Sequence, residues 1–343
     1  MNYIRMSLFL LLILVLSACG TSSEQEEAGK KDKLEVYTTV YPLEDFTKKI
    51  GGEHVDVESI YPPGADEHTF EPSQKDMIKM ADGDVFFYIG MGLEGFVERS
   101  KSILENEDVV VVPTSEHIEL NQEDNHGEES TEEHEEHVEI ENEHADEHSD
   151  EHGEEHADEH SDEHADEHNH DVDPHLWLDP VYSKEMAKTI ADTLSEEMPE
   201  HKEDFQANLD ALTKDLDALD AEFKDMAENT PKKTFYVSHA AYSYWEKRYG
   251  LHQEAIAGLN TADEPSQQEL KKIIEKGKED NVQYILFEQN VSSRLTEVVQ
   301  NELGAKALTL HNLSVLTEED RKNDEDYFSL MEKNIETLKQ ALQ

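Results

Sequence analysis

Phe205-Gln-Ala-Asn-Leu209-Asp-Ala-Leu212-Thr-Lys-Asp-Leu216-Asp-Ala-Leu219-Asp-Ala-Glu-Phe223 places an apolar side chain at every third or fourth position, with mostly charged or small residues between. That spacing lays one apolar stripe along a helix. The pattern runs from Pro199 to about Glu228, and at 1.5 Å per residue a helix of that length is about 45 Å long. So long an element matches a whole small protein better than one lobe, and the spacing predicts a helix that braces two lobes.

On its N-terminal side, strand and helix signals alternate. Leu34–Val40 is rich in β-formers, Leu43–Ile50 reads as a short helix closed by Gly51-Gly52, and Val55–Ile60 alternates as a strand should. Asp84–Ile89 and Val109–Val112 read as further strands, and Ser73-Gln-Lys-Asp76 is a capping box ahead of Met77, Ile78 and Met80. Asp179 can cap a helix with Pro180 in its first position. The C-terminal side repeats the alternation, with strands Thr234–Val237, Ala255–Ala257, Gln283–Phe287 and Lys306–Leu310. Its helices are Ala240–Tyr249 ended by Gly250, one opened by the Ser266-Gln-Gln-Glu269 box, Ser292–Leu303 and Asp324–Ala341. Such alternation implies an α/β fold of two lobes, each with a mostly parallel sheet flanked by helices and with ligands beyond the carboxyl ends of its strands.

The expected organisation is a signal peptide over 1–18, a tether over 19–32, and an N-terminal lobe over 33–198 that carries an insertion of about 117–171. The linking helix then takes 199–228 and the C-terminal lobe 229–343. The signal reading rests on Arg5, the apolar run Leu8–Leu16, too short to span a bilayer, and the small residues that follow. Leu16-Ser17-Ala18-Cys19 resembles a bacterial lipobox, and Cys19 is the only cysteine of the chain. A lone exported cysteine makes no internal disulfide, so lipidation gives it a role and predicts an anchor on the outer face of the cell membrane.

Charge excludes one class at once. Of 343 residues, 82 are Asp or Glu and 29 are Lys or Arg, a formal charge of −53, which argues against nucleic acid as a partner. Residues 121–170 hold 23 of those acids and 11 of the 19 histidines, with no Lys or Arg, and without them the charge is −30. There His144, His148, His152, His156, His160, His164 and His168 recur every fourth residue, with His170 beyond them. Almost no apolar side chain is present to offset ordering entropy, so disorder is expected. As chemistry, imidazoles among carboxylates suit weak, multiple capture of Zn²⁺, Cu²⁺ or Ni²⁺.

A specific site needs histidine and carboxylate at strand ends in the folded part. His68 follows a strand in Gly64-Ala-Asp66-Glu67-His68, and His175 precedes the Asp179 cap in Asp173-Pro-His175-Leu-Trp177-Leu-Asp179-Pro180. His239 follows Thr234–Val237, and Glu288 follows Gln283–Phe287. Taken singly, each has an ordinary surface or structural role; together they supply two donors per half at the junctions where a cleft would open. Three imidazoles and one carboxylate form a four-coordinate set suited to Zn²⁺. Asp66 or Glu67 stands ready to orient an imidazole.

Those motifs, together with Tyr41-Pro42-Leu43, Glu71-Pro72-Ser73 and Ala240-Ala241-Tyr242, resemble the metal-specific solute-binding proteins of bacterial ABC importers, the cluster A-I type. Within it the chain is similar to the zinc-uptake adhesin-like lipoproteins, from about Lys33 to its C-terminus. The resemblance implies that His68, His175, His239 and Glu288 are the ligands, that the long helix joins the lobes, and that a His-rich loop marks zinc members. It also implies a monomer that hands Zn²⁺ to an ABC permease and is not an enzyme; no His-Glu-x-x-His helix, nucleophile elbow or phosphate loop is present. The alternatives are a manganese-binding homologue, which would carry a carboxylate in place of His239, and a surface zinc-storage or adhesin protein. The long insertion leaves open whether His170 or His117 joins the tight site. His54, His201, His252 and His311 match no motif and are read as surface or structural.

Overall fold

The computed structural model describes residues 32–104, 106–120, 172–289 and 294–343. The signal segment, Cys19 and the repeated histidines of the insertion lie outside the described residues.

The first half gives β1 (Leu34–Thr38), α1 (Tyr41–Gly51), β2 (Val55–Ser59), α2 (Gln74–Asp82), β3 (Val85–Tyr88), α3 (Gly95–Leu104) and β4 (Val110–Pro113). Next come α4 (Pro180–Glu197) and the long α5 (Lys202–Asn229). The second half gives β5 (Thr234–His239), α6 (Ser243–Tyr249), β6 (His252–Ala257), α7 (Gln267–Glu279), β7 (Tyr284–Phe287), α8 (Arg294–Leu303), β8 (Lys306–Thr309), α9 (Glu318–Lys322) and α10 (Tyr327–Ala341). Each half builds a four-stranded sheet, in the orders β2-β1-β3-β4 and β6-β5-β7-β8. Every pairing is parallel, from Leu34↔Val55 through Thr38↔Ser59 in the first sheet to Phe287↔Thr309 in the second. The two-lobed α/β architecture read from the sequence is therefore present, with wholly parallel sheets.

Covered faces explain the strand composition. All four residues of β3, Val-Phe-Phe-Tyr, are buried, as a parallel strand with helices on both sides requires. On β5 the pleat sends Phe235 and Val237 into the main core, while Tyr236 joins Ile256, Ile285 and Val299 in a smaller cluster on the other face. The 28-residue α5 buries Phe205, Leu209, Leu212, Leu216, Leu219, Phe223 and Met226, the stripe seen in the sequence. It packs on α1 and α4 on one side and on α6 and α10 on the other, so it braces both halves.

Local chemistry sets the helix starts. Ser73 and Ser266 make complete capping boxes with Asp76 and Glu269, and Asp179 accepts from the Val181 and Tyr182 amides ahead of α4. Gly250, at φ 64°, ends α6 in the left-handed conformation that glycine adopts without strain. Three expectations shift. The helix after His239 begins at Ser243 rather than Ala240, because Ala240 and Ala241 take the turn that ends β5. The last helix begins at Tyr327 rather than Asp324, because Asp324 lies at φ 54° and Asp326 caps the helix through the Ser329 amide. β6 is longer than the strand expected from Ala255, running from His252.

Candidate metal centre

The carboxyl ends of the strands face the junction between the halves. His239 is the last residue of β5, and Glu288 follows β7 directly; these two neighbouring strands are where the strand order reverses. In open parallel sheets such a switch point opens the crevice that binds ligands. The loop after β2 brings His68, and the turn Leu176–Leu178 before α4 brings His175.

The three imidazoles meet through one kind of atom. His175 Nε2 lies 3.2 Å from His68 Nε2 and 3.3 Å from His239 Nε2. Ligands held tetrahedrally at Zn–N distances of about 2.0–2.1 Å stand about 3.3 Å apart, so both spacings from His175 already match such a site. Carboxylates behind two of the rings set this orientation. Asp173 Oδ1 pairs with His175 Nδ1 at 2.7 Å, and Glu288 Oε2 pairs with His239 Nδ1. A neutral ring that donates through Nδ1 leaves Nε2 as a lone pair, so once His239 gives up the proton its carboxylate neighbours favour, the three Nε2 atoms suit a cation between them.

These supports are themselves held. Glu288 also accepts from Ser238 Oγ at 3.0 Å and from Tyr242 Oη at 2.8 Å. Asp173 accepts the His175 amide at 2.9 Å, and across the junction it accepts from the Ser243 and Tyr244 hydroxyls. Asp66 accepts the His68 and Thr69 amides at 3.0 and 3.1 Å and the Thr261 hydroxyl of the other half at 2.6 Å. Trp177 Nε1 donates to Asn312 O and Trp245 Nε1 to Leu178 O, each at 2.7 Å, which fixes the His175 turn on both sides.

His175 and His239 are fully buried, and Glu67 and Glu288 nearly so. Burial, then the charges of His175 and His239, lowers the His68 pKa to about 2, so this ring stays neutral. For His239 burial works the other way from its neighbours; the charge and hydrogen bond of Glu288, with Glu67 and Asp173, prevail and raise it to about 9. Burial raises the Glu67 carboxyl against the lowering effect of His239 and His175.

The structure brings together His68, His175 and His239 as read from the sequence. Their ring nitrogens and a Glu67 carboxylate oxygen all lie within 4.8 Å of one another. Glu288, expected as a direct ligand, has its Oε2 on the Nδ1 of His239, while that ring's Nε2 meets the cluster. Sequence spacing placed both glutamates near the site but carried no signal for which face of His239 each would meet. His117 is exposed and lines a separate cavity with Glu185, Asp192 and Glu196; His170 lies outside the described residues. Of the histidines read as surface or structural, His252 sits between Glu246 and Glu254 and His311 against Asp320.

Two parallel α/β halves braced by one helix, with a buried cluster of imidazoles and carboxylate at their junction, define a metal-binding protein of the two-lobed solute-binding class. The chain belongs to the family described as zinc-uptake complex component A, periplasmic, whose model matches residues 36–341. That is a family of zinc-transport binding components and not of enzymes. The zinc-binding lipoprotein AdcA of Streptococcus pneumoniae is 35% identical over 98% of this chain, which spans only 61% of that relative's length. The high-affinity zinc uptake system protein ZnuA of Bacillus subtilis is 34% identical over 96% of this chain and 94% of its own. Among solved structures, the Zn(II)-bound ZnuA-like domain of S. pneumoniae AdcA matches with a TM-score of 0.68 and 31% identity, covering 90% of this chain and 99% of that one.

Proposed function

We propose that the chain is the extracytoplasmic zinc-binding component of an ABC importer. Lipid on Cys19 tethers it to the outer face of the membrane, and it works as a monomer that delivers Zn²⁺ to a permease. The observation that carries this reading is the pair of Nε2–Nε2 distances, 3.2 and 3.3 Å, among three buried imidazoles at the junction of the halves. Lipoprotein and zinc-uptake names among the relatives support the location and the cargo.

His68, His175 and His239 bind the ion through Nε2, and a glutamate closes the set. With Zn²⁺, three neutral imidazoles and one carboxylate leave a net charge of +1, and imidazole favours Zn²⁺ over Mn²⁺. Glu67 has a carboxylate oxygen among the donors, and Glu288 holds His239 Nδ1. The insertion histidines from His144 to His170 collect zinc weakly and speed its capture by the tight site.

Calorimetric titration of the metal-free mature chain tests the reading: one tight Zn²⁺ equivalent is expected, absent in His239→Ala, with Mn²⁺ bound far more weakly. Glu67→Gln and Glu288→Gln, titrated side by side, identify the carboxylate that closes the site. A tight step unchanged in His239→Ala would overturn the assignment. Cys19→Ala should free the protein from membranes with its zinc affinity intact.

A second reading, a surface adhesin, draws on the laminin-binding protein Lbp of Streptococcus pyogenes, 28% identical with a TM-score of 0.69 over 91% of this chain and 100% of its own. Laminin binding by the purified chain, with and without zinc, separates the two roles.

A further inference from the structure

His54 and His201 are 147 positions apart in the chain and matched no motif, yet they meet. His54 ends the 3-10 turn Gly52–His54 that leads into β2, and His201 ends the 3-10 turn Pro199–His201 that leads into α5. Their rings stack with centroids 3.7 Å apart and planes 21° apart. Asp204, in the first turn of α5, sets its Oδ2 3.6 Å from His54 Nε2 and 3.7 Å from His201 Nδ1. Donor atoms of all three lie within 4.8 Å of one another.

We infer that His54, His201 and Asp204 form a second divalent-metal site, for an ion of the Zn²⁺, Cu²⁺ or Ni²⁺ class, that ties the start of the linking helix to the N-terminal sheet. At 3.6 and 3.7 Å the carboxylate is beyond hydrogen-bond distance of either ring nitrogen, so the three donors face one another without satisfying one another. An ion between them would, since the ligand spacing of a tetrahedral site is about 3.3 Å. Two imidazoles and one carboxylate are borderline donors matched to these metals rather than to Mg²⁺ or Ca²⁺. Access is partial: the side chains of His54, His201 and Asp204 are 17%, 30% and 66% exposed, which lets an ion enter and leaves water to complete its shell. Glu53, Glu200 and Glu203 in the same turns add negative charge against the single cation Lys202.

The stack sets a condition. In-plane lone pairs of two nearly parallel rings do not point at one ion, so one ring must turn. Both rings also meet Phe205, at 5.7 Å from His54 and 6.3 Å from His201, but the His201 side chain is the more exposed, 30% against 17%. His201 therefore turns on binding, and the stack is the metal-free arrangement.

This site is separate from the candidate centre. His54 precedes β2 and His68 follows it, and a strand of five residues is about 17 Å long. An ion here adds a bond between the β2 corner of the N-terminal sheet and the helix that also packs on the C-terminal half.

The test is hydrogen exchange of the full-length chain, read by mass spectrometry in peptides covering 49–57 and 197–206 as Zn²⁺ alone is added. With free Zn²⁺ at about ten times the dissociation constant, opening of both segments should slow about tenfold. The slowing should persist in His68→Ala, which disables the junction cluster, and vanish in His201→Ala and Asp204→Asn, both altered at the exposed side of the site. No slowing at saturating Zn²⁺ overturns the proposal, as does slowing that survives His201→Ala. Slowing lost in His68→Ala would assign the effect to the junction and equally reject a second site.

Discussion

Asp173 binds His175 twice, through Oδ1 to the ring Nδ1 at 2.7 Å and to the backbone N–H at 2.9 Å, while its other oxygen takes the Ser243 hydroxyl from the opposite half. One carboxylate thus selects the His175 tautomer, aims Nε2 and joins the two halves beside the cluster. Asp173→Ala should weaken zinc binding about 10- to 100-fold while far-ultraviolet circular dichroism stays unchanged. Unaltered affinity would show that packing alone orients the ring.

The linking helix makes a separate claim about stability. Leu216 is fully buried midway along α5, where it faces the main core. Leu216→Ala should cost about 2–5 kcal/mol in denaturant unfolding, with zinc stoichiometry retained. A loss below about 0.5 kcal/mol would mean that the helix is held by its ends and not by its stripe.

Much of this was legible in the sequence because it follows from short-range chemistry. The α5 stripe, the Ser73 and Ser266 boxes and the Asp179 cap depend on residues within one or two turns, and each formed where read. His68 and His239 were placed by the strands they follow, since strand ends in parallel sheets collect at one edge, and His175 by the Asp179 cap it precedes. What failed to show was of two kinds. Helix α3, Gly95–Leu104, was missed because its Ser100, Lys101 and Ser102 blur the apolar period and Gly95 gives little start signal. The partners of individual rings, Glu67 beside the Nε2 cluster, Glu288 on His239 Nδ1 and the His54–His201 stack, depend on side-chain torsions and tertiary approach. No spacing rule encodes those.

Asp320 connects stability to pH. A hydrogen bond from His311, then bonds from the Thr317 hydroxyl and amide, hold its carboxyl well below the ordinary value of 3.8 despite partial burial. A carboxyl depressed on folding stabilises the native state above its unfolded value, and that share is lost as pH falls below about 3.8 towards the folded value. Asp320→Asn should therefore lower the melting temperature at pH 7 and lower it by less near pH 2, where the wild type has already lost part of the same contribution. An equal deficit at both pH values would assign the effect to packing.

Thr261 offers a test of how zinc leaves. Its hydroxyl donates to Asp66 Oδ2 at 2.6 Å, and Asp66 Oδ1 holds the His68 and Thr69 amides, so one side chain links the His68 loop to the C-terminal half. If the ion escapes when the halves part, this bond must break before release, whereas the local hold on His68 need not. Thr261→Val keeps the shape and removes only the crossing bond. A hydrogen bond of this kind contributes about 1 kcal/mol, so zinc release into excess chelator, followed by stopped flow, should quicken about fivefold. Asp66→Ala removes both holds and should quicken release further while also weakening the equilibrium affinity. Release unchanged in Thr261→Val but faster in Asp66→Ala would place the exit at the His68 loop itself, with the two halves remaining together.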